Sequence, residues 1–247
     1  MNFHDLFLKP YDSYETYQIF LEAIATIFGL LSVYFSIRKN IWVYPTGIIS
    51  TVLYVYILFK FGLLGDMMIN FYYSVMSIYG WILWSKSSED HIHVEVSWAT
   101  KKEWFLSGIL FFLSLILVTI VYYYKPFIDN HFSMINVQLG LYHLEWANWL
   151  DIFTTAIFLV GMWLMAKRKV ENWIFWIIGD LICIPMMIYK GLGITSLQYL
   201  AFTAMAIIGY FEWKKDHQTN QINWFKLLGF TLLPKVFITF THPNILG

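Results

Sequence analysis

Seven runs of about twenty mostly apolar residues, separated by short stretches that gather most of the charge, constrain this chain more than any other feature. They lie near Tyr17 to Ile37, Trp42 to Phe59, Asp66 to Trp84, Trp104 to Tyr124, Ala147 to Ala166, Trp173 to Tyr189 and Ile194 to Trp213. A hydrocarbon layer about 30 Å thick needs about 20 helical residues to cross it, and inside it every backbone N–H and C=O must be bonded within the protein. With 59% hydrophobic and 13% charged residues among 247, the chain reads as an all-α membrane protein with seven transmembrane helices. No positively charged region precedes the first run and no small-residue cleavage pattern follows it, so the first helix is expected to be retained, not removed as a signal peptide.

Orientation follows from the 16 Lys and Arg, because basic loops stay on the cytoplasmic side. Arg38, Lys39, Lys86, Lys101, Lys102, Lys167, Arg168, Lys169, Lys214, Lys215, Lys226 and Lys235 fall on one side; Lys9, Lys60, Lys125 and Lys190 fall on the other. The amino terminus is expected outside and the carboxyl terminus in the cytoplasm. Trp42, Trp84, Trp104, Tyr122 to Tyr124, Trp173 and Trp213 at span ends are expected to form interfacial belts. The stretch Asn223 to Phe240, broken by Pro234 and Lys235, reads as an interfacial helix, with an eighth span as the alternative. Cys183 stands alone, which excludes an internal disulfide; beside Pro185 it reads as a small core residue rather than a reactive thiol.

A stretch of the chain also occurs twice, 129 positions apart: Gly62, Leu63, Met76, Ile78, Gly80 and Trp84 match Gly191, Leu192, Met205, Ile207, Gly209 and Trp213. Glu22 and Thr26 echo Asp151 and Thr155 at the same offset, and Trp42 meets Trp173 if a two-residue slip is allowed. The second helices of the two halves carry Pro45 and Pro185, read as hinges or as packing kinks. Three spans reverse the direction of a chain and a single extra span restores it. The arrangement expected is therefore two parallel three-helix bundles joined by a linker helix (3+1+3). The segments are an outer stretch 1–16, bundle one 17–84, a cytoplasmic loop with the linker helix 85–124, an external loop 125–146, bundle two 147–213 and a cytoplasmic or interfacial tail 214–247.

Polar groups inside spans are costly and mark function more often than elsewhere. The acids are Glu22, Asp151 and Asp180, with Asp66 at a helix mouth, and no Lys, Arg or His lies away from the span ends. Asp180 lies about 10 Å deep, near mid-bilayer. Trp173, Trp176 and Asp180 share one helix face, suited to a flat cationic ring held by stacking, cation–π attraction and charge pairing; the alternative leaves Trp173 as an interfacial anchor and Asp180 bonded to a neighbouring helix. Asn70, Tyr73 and Ser77 share a face of the third run, as Gln198, Tyr199 and Thr203 do in the seventh; such groups suit ribose hydroxyls or a carboxamide, or hold helices together. Asn148 and Asp151, behind Trp146, line an entrance or cap their helix. The chain has no phosphate-binding loop, metal-ligand cluster or nucleophile signature, so neither an enzyme nor a bound metal or cofactor is expected. The seventh run lacks the mid-span lysine that a retinal protein would need.

Leu64-Gly65-Asp66-x-x-x-Asn70-x-x-Tyr73, Tyr79-Gly80-Trp81-x-x-Trp84, Trp173-x-x-Trp176-x-x-x-Asp180 and Tyr189-Lys190-Gly191-Leu192 occur in this order around the duplication. Across about Tyr17 to Trp213 the chain resembles the PnuC family of bacterial vitamin transporters, best known for nicotinamide riboside. The resemblance implies a fold of two parallel three-helix bundles similar to that of SWEET-type sugar transporters. It also implies facilitated diffusion, with a cytosolic kinase trapping the nucleoside, and an aromatic central site onto which Trp176 and Asp180 map. An amide stands at the position of Asp180 in some nicotinamide riboside members, and relatives carry thiamine, riboflavin or deoxynucleosides. Nicotinamide riboside and thiamine carry a permanently cationic ring that suits a carboxylate; riboflavin and deoxynucleosides are neutral. The implied partners are this vitamin and membrane lipid, optionally a second copy in a homo-oligomer, and no nucleic acid. Proton-coupled uptake and a non-transporting receptor are the competing readings.

Overall fold

In a computed structural model the backbone is described for residues 15–60, 64–86, 95–190 and 193–227, and side chains for the same stretches except 64–66, 193 and 220–227. Seven helices follow in order: α1 Thr16–Ile37, α2 Val43–Lys60, α3 Leu64–Ser85, α4 Lys101–Asp129, α5 Trp146–Ala166, α6 Asn172–Tyr189 and α7 Gly193–Leu227. All but α3 are long and apolar enough to cross a membrane. The exception has a physical reason, because Asn70, Tyr72, Tyr73, Ser74, Ser77 and Tyr79 lower the mean hydropathy of α3. Several of these bond or pack within the protein: the Tyr72 hydroxyl donates to the Leu159 carbonyl (3.2 Å), and Ser74 hydrogen-bonds Thr51 (2.8 Å).

Helices α1, α2 and α3 pack in sequence, α5, α6 and α7 likewise, α4 packs along α5, and the two sets meet through α1 on α7 and α3 on α5. Small residues permit close approach. Ser50 donates to the Ala25 carbonyl (2.7 Å) and Ser32 to the Val43 carbonyl (2.8 Å), tying α1 to α2 by side-chain bonds of the kind that hold membrane helices together. The most buried helix is α5.

The Lys- and Arg-rich ends of the helices lie together, here called the basic end. The turns α1–α2 and α5–α6 there have one geometry: Lys39 (φ 54°) and Arg168 (φ 61°) take the left-handed conformation, and the next amide bonds back to Phe35 O and Leu164 O, both at 2.9 Å, a helix-terminating motif. These positions are 129 residues apart. Ser36 Oγ also lies 3.5 Å from Met165 Sδ, and Trp84 rests on Trp213 with ring centroids 6.1 Å apart, so residues of equal rank in the two sets touch each other.

The structure revises several expectations. Tyr44, not Trp42, takes the place matching Trp173, without a slip: a Cβ on Gly80 would collide with the Tyr44 ring as one on Gly209 would with Trp173. Trp84, Trp173 and Trp213 are at most 2% exposed and fill the core, whereas Trp42 and Trp104 are exposed as a belt requires. Position along a span fixes depth and not whether a side chain points to lipid or protein. Pro45 sits in the first turn of α2, where a missing N–H costs nothing, while Pro185 lies inside α6. Helix α4 runs past Pro126 to Asp129, its last turn closed by a Lys125–Asp129 ion pair at 2.6 Å, so the external loop begins later than expected. Helix α7 continues beyond Trp213 as one rod, because no Gly or Pro interrupts 214–227. The side chain of Asp66, together with Gly62, Leu63, Gly191, Leu192, the outer stretch before Glu15, and the tail from 228 on, which holds most of the expected interfacial helix, lies outside what is described.

Candidate functional site

Asp180 lies eight residues into α6 and is 3% exposed, and among the described residues no hydrogen bond or ion pair reaches its carboxylate. Trp176, one turn before it, stacks on Phe158 of α5 with ring centroids 5.4 Å apart and an interplanar angle of 26°. The Phe158 ring in turn lies parallel to Tyr199 of α7, 6.4 Å away at 8°. Tyr73 of α3 approaches Trp176 from the other set of helices, centroids 6.3 Å apart and tilted by 54°. Asp180 is close enough to Tyr73, Tyr199 and Cys183 to act on each electrostatically. The result is a cup of aromatic faces around one carboxylate, built from α3, α5, α6 and α7.

Two glycines make room for the cup. A Cβ on Gly179 would overlap the Phe158 ring, and one on Gly161 would stand 3.4 Å from the Trp176 indole. Cys183, 1% exposed and within hydrogen-bonding range of Thr154 and Tyr199, is a packed core thiol.

Of the residues singled out in the sequence, Trp176, Asp180, Tyr73 and Tyr199 are brought together. Trp173 is separated from them: it packs edge-on against Trp213 (5.5 Å, 89°), nearer the basic end. Gln198 turns the other way, towards the Tyr54 hydroxyl, which itself hydrogen-bonds Thr26 (2.9 Å). Asn70 is half-buried on α3, and its backbone carbonyl accepts from Ser74 (3.0 Å). Asn148 caps α5, its Oδ1 accepting from the Glu145 amide (2.9 Å). The Asp151 carboxylate accepts a 2.5 Å bond from the Tyr122 hydroxyl of α4, so it ties α4 to α5. Of the two roles open to Asn148 and Asp151, these contacts are the structural ones.

Phe158 was missed, since one more phenylalanine in an apolar helix carries no signal. The signal lay in comparing the halves at the 129 offset: Gly29 stands where Phe158 is, and Gly47 where Trp176 is. Both aromatic walls are absent from the first set, whose corresponding positions are closed by small residues, with Gly47 against Ser32 and Gly29 against Ser50.

Residues 19–215 match the model of a family described as nicotinamide mononucleotide transporters. The nicotinamide riboside transporter PnuC of Escherichia coli (strain K12) is 27% identical over 207 residues, covering 78% of this chain and 84% of that protein. The riboflavin/roseoflavin transporter RibM of Streptomyces davaonensis is 21% identical over 203 residues, 81% of this chain and 87% of that one. A crystal structure of the vitamin B3 transporter PnuC is similar in fold, with a TM-score of 0.60 and 24% identity across 81% of this chain and 83% of that one.

Proposed function

Because this chain belongs to the nicotinamide mononucleotide transporter family of PnuC type, a family of membrane transporters and not of enzymes, we propose that it carries nicotinamide riboside across a bacterial cytoplasmic membrane. The observation that carries the substrate reading is Asp180. A buried carboxylate without a basic partner is costly, and a solute bearing a permanent positive charge on a flat ring offsets that cost while stacking on Trp176, Phe158 or Tyr199. Ribose hydroxyls would meet the Tyr73 and Tyr199 hydroxyls. Helices α1–α3 and α5–α7 are two parallel bundles around a pseudo-twofold axis, α4 links them, and the cup is reached from either side by alternating access. This organisation is supported by the pairs Ser36–Met165 and Trp84–Trp213, in which equivalent residues near the same ends of their helices touch. The basic end faces the cytoplasm. Transport is facilitated diffusion, made unidirectional by phosphorylation of the nucleoside inside.

Binding measured by calorimetry on purified protein tests the site. Nicotinamide riboside binds wild type, and Asp180→Asn weakens it at least about tenfold, about 1.4 kcal/mol, while a neutral flavin is affected less than about threefold. Equal losses for both would remove charge pairing as the explanation. Thiamine shares the cationic ring and is the alternative within this reading. The likeness to a riboflavin transporter supports a second one, in which the three stacked rings hold a neutral isoalloxazine and Asp180 is protonated.

A further inference from the structure

Between the cup and the basic end four aromatic rings form a row that crosses from one set of helices to the other. Tyr44 of α2 meets Trp84 of α3 edge-on (centroids 5.0 Å apart, 86°), Trp84 meets Trp213 of α7 (6.1 Å, 48°), and Trp213 meets Trp173 of α6 (5.5 Å, 89°). All four are at most 2% exposed. The middle contact pairs a residue with its own equivalent 129 positions on, and the outer two rings are equivalent to each other. The row is therefore centred on the seam between the halves. Trp173 is one turn from Trp176, about 4.5 Å along the axis of α6, so a solute leaving the cup towards the basic end meets this row first.

Its hydrogen bonding is unbalanced. Trp213 Nε1 donates to the Ser36 carbonyl (2.9 Å), but the Tyr44 hydroxyl, Trp84 Nε1 and Trp173 Nε1 are buried without partners. Buried donors without partners are few among the described residues, and three of them fall in this row. Native interiors leave few polar groups unpaired, because each is expensive. A packing core built only for stability has no reason to gather three donors that phenylalanine would spare. A surface that is buried in one state and wetted in another does.

We propose that Tyr44, Trp84, Trp213 and Trp173 are the gate at the basic end, closed here, and that it opens by parting Trp84 from Trp213 across the seam, away from the pseudo-twofold axis. Opening hydrates the three orphaned donors and lets them bond the passing solute, which keeps the closed state from being too stable to leave. On the surface the same seam is tied by the Lys39–Asp216 ion pair (3.0 Å), of the weak, partly exposed kind that breaks and re-forms readily, and by Lys167 Nζ set over the Tyr79 ring (5.6 Å to its centroid). The gate rests on the transport reading but not on the choice of vitamin.

Two measurements on full-length protein in a Cys183→Ser background test it. In Ser36→Cys, thiol labelling by a maleimide dye in detergent needs no solute: Tyr44→Phe, which deletes one orphaned donor from the closed state, slows labelling several-fold, and an unchanged or faster rate overturns the proposal. In Ser36→Cys/Met165→Cys, bridging the seam with a short cleavable bis-maleimide abolishes uptake of nicotinamide riboside into liposomes, leaves its binding within about twofold, and cleavage restores uptake. Uptake that survives complete bridging overturns the gate. If the unbridged protein takes up no nicotinamide riboside, the substrate reading fails and the labelling experiment still decides the gate.

Discussion

Gly80 and Gly209 occupy the same step of α3 and α7, and at each a methyl group would press into an aromatic ring of the neighbouring helix: Tyr44 in one case, Trp173 in the other, where the approach is 2.6 Å. Neither ring has space to retreat, being fully buried. Gly209→Ala should therefore cost about 1–3 kcal/mol by overpacking and lower the melting temperature in detergent. Gly108→Ala on α4 meets nothing within 4 Å and should leave it unchanged or raise it slightly. The comparison separates close packing from any general intolerance of helix substitutions. The same residue scale explains why the cup was half legible. Asp180 was conspicuous because a carboxylate is out of place in an apolar run, whereas Phe158 was camouflaged by its surroundings.

At the scale of elements, the segment before α4 is a strap. Ser97 exchanges backbone bonds with Arg168 and Val170 (3.1 and 3.0 Å), Lys169 pairs with Glu103 (3.1 Å), and Glu171 accepts two bonds from the Ala99 amide (2.9 and 3.0 Å). His217 of α7 reaches the Val96 carbonyl (3.1 Å) from the other side. The strap thus fastens α4 to the α5–α6 turn and to the extension of α7. Burial pushes the Glu171 carboxyl above its ordinary value of 4.5, outweighing the Ala99 bonds. The folded state then holds this proton to higher pH than the unfolded state does. The contribution is full below 4.5 and is lost as pH rises through the raised folded value. The melting temperature of wild type should fall relative to Glu171→Gln as pH is raised from about 4; parallel curves would mean that Glu171 does not titrate in that window. None of this could be read from the sequence, where 95–103 is an ordinary polar loop and helix start, and where α7 was expected to stop at Trp213 because apolarity stops there.

For the whole molecule, charge away from the span ends enters the spans only as acids, and the cup holds a single carboxylate. Facilitated diffusion predicts that uptake of nicotinamide riboside into liposomes changes by less than about twofold when a pH gradient of about one unit is imposed; a clear dependence would favour proton coupling through the intramembrane acids. The sequence by itself determined that the chain is a multi-pass helical membrane protein with motifs of the PnuC type, because apolar run length is dictated by bilayer thickness and several motifs follow in order. It also carried the 129-residue offset at which equivalent residues meet. Only the tertiary structure decided which tryptophans face lipid and which close the seam, that Trp173 parts company with Trp176, and that Phe158 completes the cup. The reason is physical: hydropathy fixes depth along the membrane normal, while rotation about that normal is set by which helices touch.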